Sequence, residues 1–230
     1  RSTLFPYTTL FRSPYRGSIA YALAAGNAVV FKPSEYSPGV GTWLVGTFAE
    51  IVEAPVLQVV TGFGDTGAAL CRAGVGKISF TGSTATAKRV MAACAETLTP
   101  VLIEAGGKDA AIVAADADLD LAADAVAFGA FGNSGQTCVG IERAYVEASA
   151  YDAFVDKVSA LASRLTAGVQ IGPITMPSQV PVIQRHIQDA LSRGGRAVVG
   201  GVGSVRAPYV EPVVLVGRSE EHTSELQSPI

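Results

Sequence analysis

Two residues in this chain are of the right type for covalent chemistry and stand beside backbone permissive enough to present them. Cys138 closes the run Phe128-Gly-Ala-Phe-Gly-Asn-Ser-Gly-Gln-Thr-Cys138, in which an alanine-rich amphipathic segment gives way to glycines and a polar turn. About thirty residues upstream, Val101-Leu-Ile-Glu-Ala-Gly-Gly-Lys108 carries Glu104 at the end of an apolar, strand-like run, followed by paired glycines. A thiol attacks electrophilic carbon and a carboxylate takes a proton from water, so together they suit a reaction through a covalent intermediate. Each alone has an ordinary explanation. A single cysteine beside an apolar helix is usually a small core residue, and Glu-Ala-Gly-Gly is usually a turn. A third stretch changes the balance: Lys32-Pro-Ser-Glu-Tyr36 places one cation and one anion directly after a short apolar run. Taken alone, Lys32 and Glu35 read as solvated loop charges.

The elements that must position these groups are read from the apolar pattern. Ala28-Val-Val-Phe31, Val56–Val60, Lys77–Phe80, Val101–Ile103 and Ala110–Ala114 are short apolar runs of the kind that make buried parallel strands. Between them lie helical spacings over Tyr15–Ala25, Val40–Val52 and Ala85–Leu98. In the second of these Trp43, Leu44, Phe48 and Ile51 fall on or near one face. Gly26-Asn27 is a helix stop. Thr61-Gly-Phe-Gly-Asp-Thr-Gly67 is a glycine-rich turn, and Thr81-Gly-Ser-Thr84 opens a helix whose N-terminus offers donors to a phosphate. The latter signal is weak alone, because Ser and Thr are ordinary N-caps, and neither a Walker lysine pattern nor G-x-G-x-x-G is present. Alternating strand and helix predicts a doubly wound parallel sheet whose carboxyl edge carries Lys32, Glu35 and the two turns. Farther on, Asp116-Ala-Asp-Leu-Asp120 caps the helix leading to Cys138. Arg143–Glu147, Arg196–Val199 and Tyr209–Val216 read as strands, and Tyr151–Leu165 and Val180–Arg193 as helices.

Bulk composition narrows the classes. With 49% hydrophobic and 16% charged residues and 25 glycines, the 230-residue chain fits a buried α/β protein rather than a disordered or coiled-coil one. A net charge of −3 gives no electrostatic draw to nucleic acid. No apolar run reaches the roughly 18 residues of a membrane helix. Cys71, Cys94 and Cys138 have no ligand-like spacing and only His186 and His222 could assist, so no metal site is expected. A reduced, cytoplasmic setting is the default for such cysteines.

The ends read differently from the middle. Thr3–Ser13 and Arg218–Ser228 resemble conceptual translations of the two adapter oligonucleotides of short-read sequencing libraries, and neither continues the pattern of its neighbour. On this reading residues 1–13 and 218–230 are non-native tails, and the natural segment runs from Pro14 to Gly217, cut at both sides.

Six stretches of the interior resemble the aldehyde dehydrogenase superfamily in order and approximate spacing: Ala24-Ala-Gly-Asn-Ala-Val-Val-Phe-Lys-Pro-Ser-Glu35, Thr61-Gly-Phe-Gly64, Lys77-Ile-Ser-Phe-Thr-Gly-Ser-Thr84, Glu104-Ala-Gly-Gly-Lys108, Asn133-Ser-Gly-Gln-Thr-Cys138 and Tyr209-Val-Glu-Pro212. The resemblance implies a Rossmann-like doubly wound sheet over residues 14–104, the partial NAD(P)-binding domain, and part of a second α/β catalytic domain over 105–217. It implies Cys138 as nucleophile, Glu104 as the base that activates water, and Asn133 as support for the nucleophile. Lys32, Ser34, Glu35, Gly62, Gly82, Ser83 and Gly106 would bind the cofactor, NAD being favoured by the Glu35 carboxylate and NADP left open by Lys32. The substrate would be a small-molecule aldehyde, with neither nucleic acid nor membrane as partner, and the parent a homo-oligomer, dimer or tetramer.

Departures from the family pattern accompany the matches. Ala105 stands where leucine is usual, Ala87 where glycine is common, and the connection from Leu165 to Gly172 is short. The family's oxyanion asparagine motif would fall before Pro14, its second cofactor glutamate motif after Gly217, and its oligomerising hairpin is absent. The fragment alone is therefore expected to have little activity. Two rivals stay open: a CoA-acylating relative, for which a hydrolytic base such as Glu104 would be useless, and a non-catalytic remnant on the same fold.

Overall fold

The computed structural model describes residues 2–6 and 15–217. The chain divides into two compact units, Arg1–Gly106 and Gly107–Ile230. Among the described residues no helix is long and apolar enough to cross a membrane, and no cluster of His, Cys, Asp and Glu could hold a metal ion.

The first unit is a five-stranded, wholly parallel sheet. Its strands are β1 (Ser2–Pro6), β2 (Ala28–Lys32), β3 (Leu57–Val59), β4 (Lys77–Thr81) and β5 (Val101–Glu104), in the spatial order β3-β2-β1-β4-β5. Helices α1 (Tyr15–Ala24), α2 (Pro38–Ala49), α3 (Gly64–Cys71) and α4 (Thr84–Ala95) make the four crossovers. The order 3-2-1-4-5 is that of the doubly wound dinucleotide-binding fold. Period-2 alternation divides the strand side chains between two cores. Val29 and Phe31 of β2 and Leu57 of β3 pack on one face with Ile19 of α1 and Val45 of α2. Val30 and Ile78 pack on the other with Cys71 and Cys94, at or near the ends of α3 and α4.

One segment left out of the fold pairs within it, and two sequence expectations are corrected in this unit. Ser2–Pro6, set aside as part of a tail, is the central strand, paired with β2 over its whole length and with β4 at Thr3 and Leu4. A slot between two parallel strands is satisfied by backbone N–H and C=O groups, so an extended segment can fill it without a family-specific side-chain pattern. Helix α2 buries only part of the face read from its spacing, Leu44 and Phe48 but not Trp43, and Ile51 lies beyond its end. Trp43 and Ile51 are 68% and 80% exposed, and the buried stripe is Gly41, Leu44, Val45 and Phe48. Gly41 sets that rotation, because a Cβ there would lie 2.6 Å from Pro33 Cβ and 2.9 Å from Phe31 Cε1. The second correction concerns Lys32, which is fully buried rather than solvated.

The second unit is built around a parallel pair, β6 (Asp109–Val113) and β7 (Ile141–Val146), crossed over by α5 (Leu119–Phe131). Asp118 caps α5, its Oδ1 accepting from the N–H groups of Asp120 and Leu121 at 3.0 and 3.1 Å. Helix α6 (Tyr151–Ala162) lies against α5; Phe154 and Val158 join Val113, Ala123 and Val126 in one core, and Lys157 pairs with Asp120 at the surface. Helix α7 (Val180–Ser192) follows. The remaining strands are β8 (Arg196–Val199), the hairpin of β9 (Val205–Arg206) and β10 (Tyr209–Val210), and β11 (Val214–Val216), antiparallel to β8. The single strand expected over Tyr209–Val216 is thus two, parted at Glu211-Pro212-Val213, where proline lacks the N–H a ladder needs.

Candidate active site

In the first unit the residues singled out for cofactor binding come together along one edge. Because all five strands run the same way, the carboxyl ends of β2, β4 and β5 bring Lys32, Thr81-Gly82-Ser83 and Glu104 to the same side of the sheet. The N–H of Gly82 donates to the carbonyl of Glu104 at 3.0 Å, tying the turn after β4 to the end of β5. Gly82 is buried, and a Cβ there would sit 2.7 Å from Phe80 Cζ. Only a residue without a side chain lets the backbone turn so closely before α4. Ser83 is the α4 N-cap, its Oγ accepting from the Thr86 N–H at 3.2 Å. Glycine is equally required at position 62, with φ +147° and Thr66 Oγ1 at 2.0 Å from an added Cβ.

Lys32 is the unusual group. Its side chain reaches no solvent, its ammonium lies 3.6 Å from Glu35 Oε2, and it donates to the Pro33 carbonyl at 3.2 Å. Burial pushes its pKa below the usual lysine value. Ser34 is also buried and accepts from the Tyr36 N–H at 3.3 Å. A buried lysine paired with the partly buried Glu35, two glycines that admit no side chain and a helix N-terminus, all following carboxyl ends of the parallel strands, suit a dinucleotide. Glu104 itself is exposed at the end of β5. Gly106, with φ +75°, ends the unit.

The thiol belongs to the second unit. Cys138 is half-buried and free, and precedes β7 by three residues at the amino end of the β6/β7 pair. Gly107, two residues before β6, lies against it: a Cβ at Gly107 would be 2.3 Å from the Cys138 carbonyl oxygen. The segment feeding Cys138 is strained. Helix α5 ends at Phe131, and Asn133, Ser134 and Gly135 then take φ of 54°, 61° and 72° in succession. The left-handed conformation costs a residue such as serine about 1–2 kcal/mol, so neighbouring contacts must hold it. Asn133 Nδ2 donates to the Gln136 carbonyl at 3.0 Å, so its amide is used in closing the turn. Ser134 Oγ donates to the Gly172 carbonyl at 2.8 Å. Gln136 contributes three further bonds that the sequence reading did not single out. The only sequence signal for it was its place between Gly135 and the thiol. The other two cysteines contrast with Cys138. Both are buried; burial pushes the Cys71 thiol up, and burial and the Cys71 neighbour push Cys94 up to about 11.

The first unit thus has the strand order of a dinucleotide-binding sheet, and the second carries a half-buried thiol after a strained turn. Comparison with known proteins is more specific. The model of the aldehyde dehydrogenase family matches residues 14–230, and the chain belongs to that family. It is 41% identical over 204 residues to the betaine aldehyde dehydrogenase of Cereibacter sphaeroides, covering 85% of this chain and 42% of that protein. To the glutarate-semialdehyde dehydrogenase of Pseudomonas aeruginosa it is 39% identical over 206 residues, again 85% of this chain and 42% of the relative. Among solved structures, the succinate-semialdehyde dehydrogenase of Burkholderia pseudomallei superimposes with a TM-score of 0.83 at 34% identity, over 96% of this chain and 48% of that one. PnpE in complex with nicotinamide adenine dinucleotide gives 0.86 at 31% identity, over 99% and 50%. The chain thus spans less than half the length of the curated relatives it matches.

Proposed function

We propose that this chain is part of an NAD(P)-dependent aldehyde dehydrogenase that oxidises a small aldehyde to its carboxylic acid through a thioester on Cys138. The observation that carries the reading is the setting of Cys138: it alone of the three thiols is not buried, and it ends a strained turn packed on Gly107.

The Cys138 thiolate adds to the aldehyde carbon, making it tetrahedral, and the Cys138 backbone N–H is the donor expected at the developing oxyanion. When bound, NAD supplies the acceptor for the hydride that leaves this carbon. Glu104 then takes a proton from the water that attacks the thioester, releasing the acid and restoring the thiolate. Lys32, Ser34 and Glu35 would hold the adenosine ribose, with Gly62 beside it. Gly82, Ser83 and Gly106 would leave room for the pyrophosphate and the chain near it. A carboxylate that accepts from both ribose hydroxyls favours NAD over NADP. Asn133 serves the turn rather than the substrate, in line with its bond to the Gln136 carbonyl. Three free thiols agree with a reducing, cytoplasmic setting. Assembly as a dimer or tetramer rests on the family resemblance alone.

The test is aldehyde-dependent NADH formation by the enzyme carrying this chain, with the product identified. Free acid as product, and a loss of at least about a thousandfold in kcat on Cys138→Ser, are the expected results. Acyl-CoA as product would give the reaction to a CoA-acylating enzyme, and an active Cys138→Ser would remove the thiol from the mechanism.

A further inference from the structure

Gln136 lies two residues before Cys138, and its side-chain amide is fully engaged with backbone. Nε2 donates to the carbonyls of Asn133 and Pro173, each at 3.2 Å, and Oε1 accepts from the Thr175 N–H at 2.7 Å. An amide has two donor hydrogens and an acceptor oxygen; here one side chain spends them on both the strained turn and a loop almost forty residues away. Ser134 adds a second strut to the same loop through the Gly172 carbonyl. Between these contacts lie Asn133, Ser134 and Gly135, all with positive φ, a conformation that persists only where surrounding structure over-determines it.

We propose that Gln136 is a positioning residue for the nucleophile: it locks the left-handed turn to the Gly172–Thr175 loop and so fixes the place of Cys138. The inference rests on Cys138 being the nucleophile. Gln136 touches neither substrate nor cofactor in this scheme; it acts through the backbone leading to the thiol. No other side chain of the turn meets the geometry. Asn133 is committed to the Gln136 carbonyl, and the single hydroxyl of Ser134 reaches only Gly172. Glutamate would keep the acceptor for Thr175 but set carboxylate oxygen against two carbonyl oxygens. Alanine would remove all three bonds.

The test pairs two readouts on Gln136→Ala. The first is amide exchange of the chain, in which Thr175 should exchange about tenfold faster, the loss of one hydrogen bond. Phe154, bonded to the Ala150 carbonyl, and Glu147, bonded to that of Val113, serve as references within the same unit and should be unchanged. The second is the single-turnover rate of NADH formation by the enzyme carrying the chain. It should fall about a hundredfold, the cost of a nucleophile misplaced by about 1 Å, with NAD affinity unaltered. Unchanged Thr175 exchange overturns the proposal, and so does faster exchange with a normal first turnover. If the references also lose protection, Gln136→Glu decides instead: Thr175 should stay protected while the first turnover still slows, and a normal rate overturns the proposal. Cys138→Ser run alongside separates the premises. If that variant keeps its first turnover, the nucleophile reading falls and the positioning role falls with it, whatever happens at Thr175.

Discussion

Lys32 puts an ammonium where no solvent reaches it, 3.6 Å from the Glu35 carboxylate. Its lowered pKa has a consequence for stability with a definite sign. Between the lowered folded value and the ordinary 10.5 of the unfolded chain, the unfolded state binds more protons, so stability gains with rising pH. The burden of the buried charge is greatest below that window and is gone above it. Relative to Lys32→Met, the unsubstituted chain should therefore become more stable as pH rises through the alkaline window, by up to about 1.4 kcal/mol per pH unit. Denaturant unfolding of both chains across that range measures it, and a flat difference would mean the ammonium is not desolvated. Glu104 supports a kinetic prediction. With glutamine there, the first equivalent of NADH should form at close to the normal rate and turnover should then stall at the acyl-enzyme; steady turnover would take Glu104 out of the hydrolytic step. At this scale the sequence made the thiol, the carboxylate and the Lys32/Glu35 pair legible, because side-chain type and adjacent glycines are written in it. The burial of Lys32 was not legible, since a cation before Pro-Ser looks the same in a solvated loop. Nor was Gln136, whose partners at Pro173 and Thr175 are distant in the chain.

Between residue and fold, glycines and caps decide how closely elements approach. Gly107 is the clearest case, since the atom a Cβ would meet at 2.3 Å is the Cys138 carbonyl oxygen, backbone that cannot rotate away. Gly107→Ala should destabilise the chain by about 1–3 kcal/mol and displace the segment that carries the thiol. Chemical unfolding reads the first effect, and the iodoacetamide alkylation rate of Cys138 reads the second, with Cys71 and Cys94 shielded by burial. An unchanged alkylation rate would mean that the neighbouring strand start simply moves aside. Asp118→Ala should cost about 1 kcal/mol by removing the two bonds that start α5, and Asp118→Asn should recover most of it. Most strands and helices were readable from period and from stop signals such as Gly26-Asn27. The buried face of α2 was read only in part, through Leu44 and Phe48, because Trp43 and Ile51 carry the strongest apolar signal, whereas Gly41, which carries none, dictates the contact with Phe31 and Pro33. β1 escaped the pattern for a different reason: its place depends on backbone pairing to β2 and β4, which side-chain periodicity does not encode.

Across the first unit, strand order brings residues scattered in the chain to one edge of the sheet. With β1 central, the chain runs outward through β2 and β3 on one side and through β4 and β5 on the other. The crevice of a doubly wound sheet opens at that reversal, outside the carboxyl ends. Lys32, Gly82, Ser83 and Glu104 arrive there from three different strands because parallel pairing puts all carboxyl ends on one side. In the second unit, by contrast, β8 and β11 run antiparallel and β9/β10 is a hairpin, so no comparable edge forms from them. NAD should therefore protect amides unevenly. At a concentration of about one hundred times its dissociation constant it stabilises what it binds by about 2.7 kcal/mol. Slowed exchange is expected at Ser34 and Glu35, at Gly82–Ala85 and around Gly62, with Arg196–Val199 and Val214–Val216 unaffected. Lys32→Met and Gly82→Ala should abolish the first pattern by different routes, one by removing the cation and the other by forcing Phe80 against the turn. Protection that appeared on β8 and β11 instead would move the cofactor off the parallel sheet and detach the dinucleotide reading from the strand order that supports it.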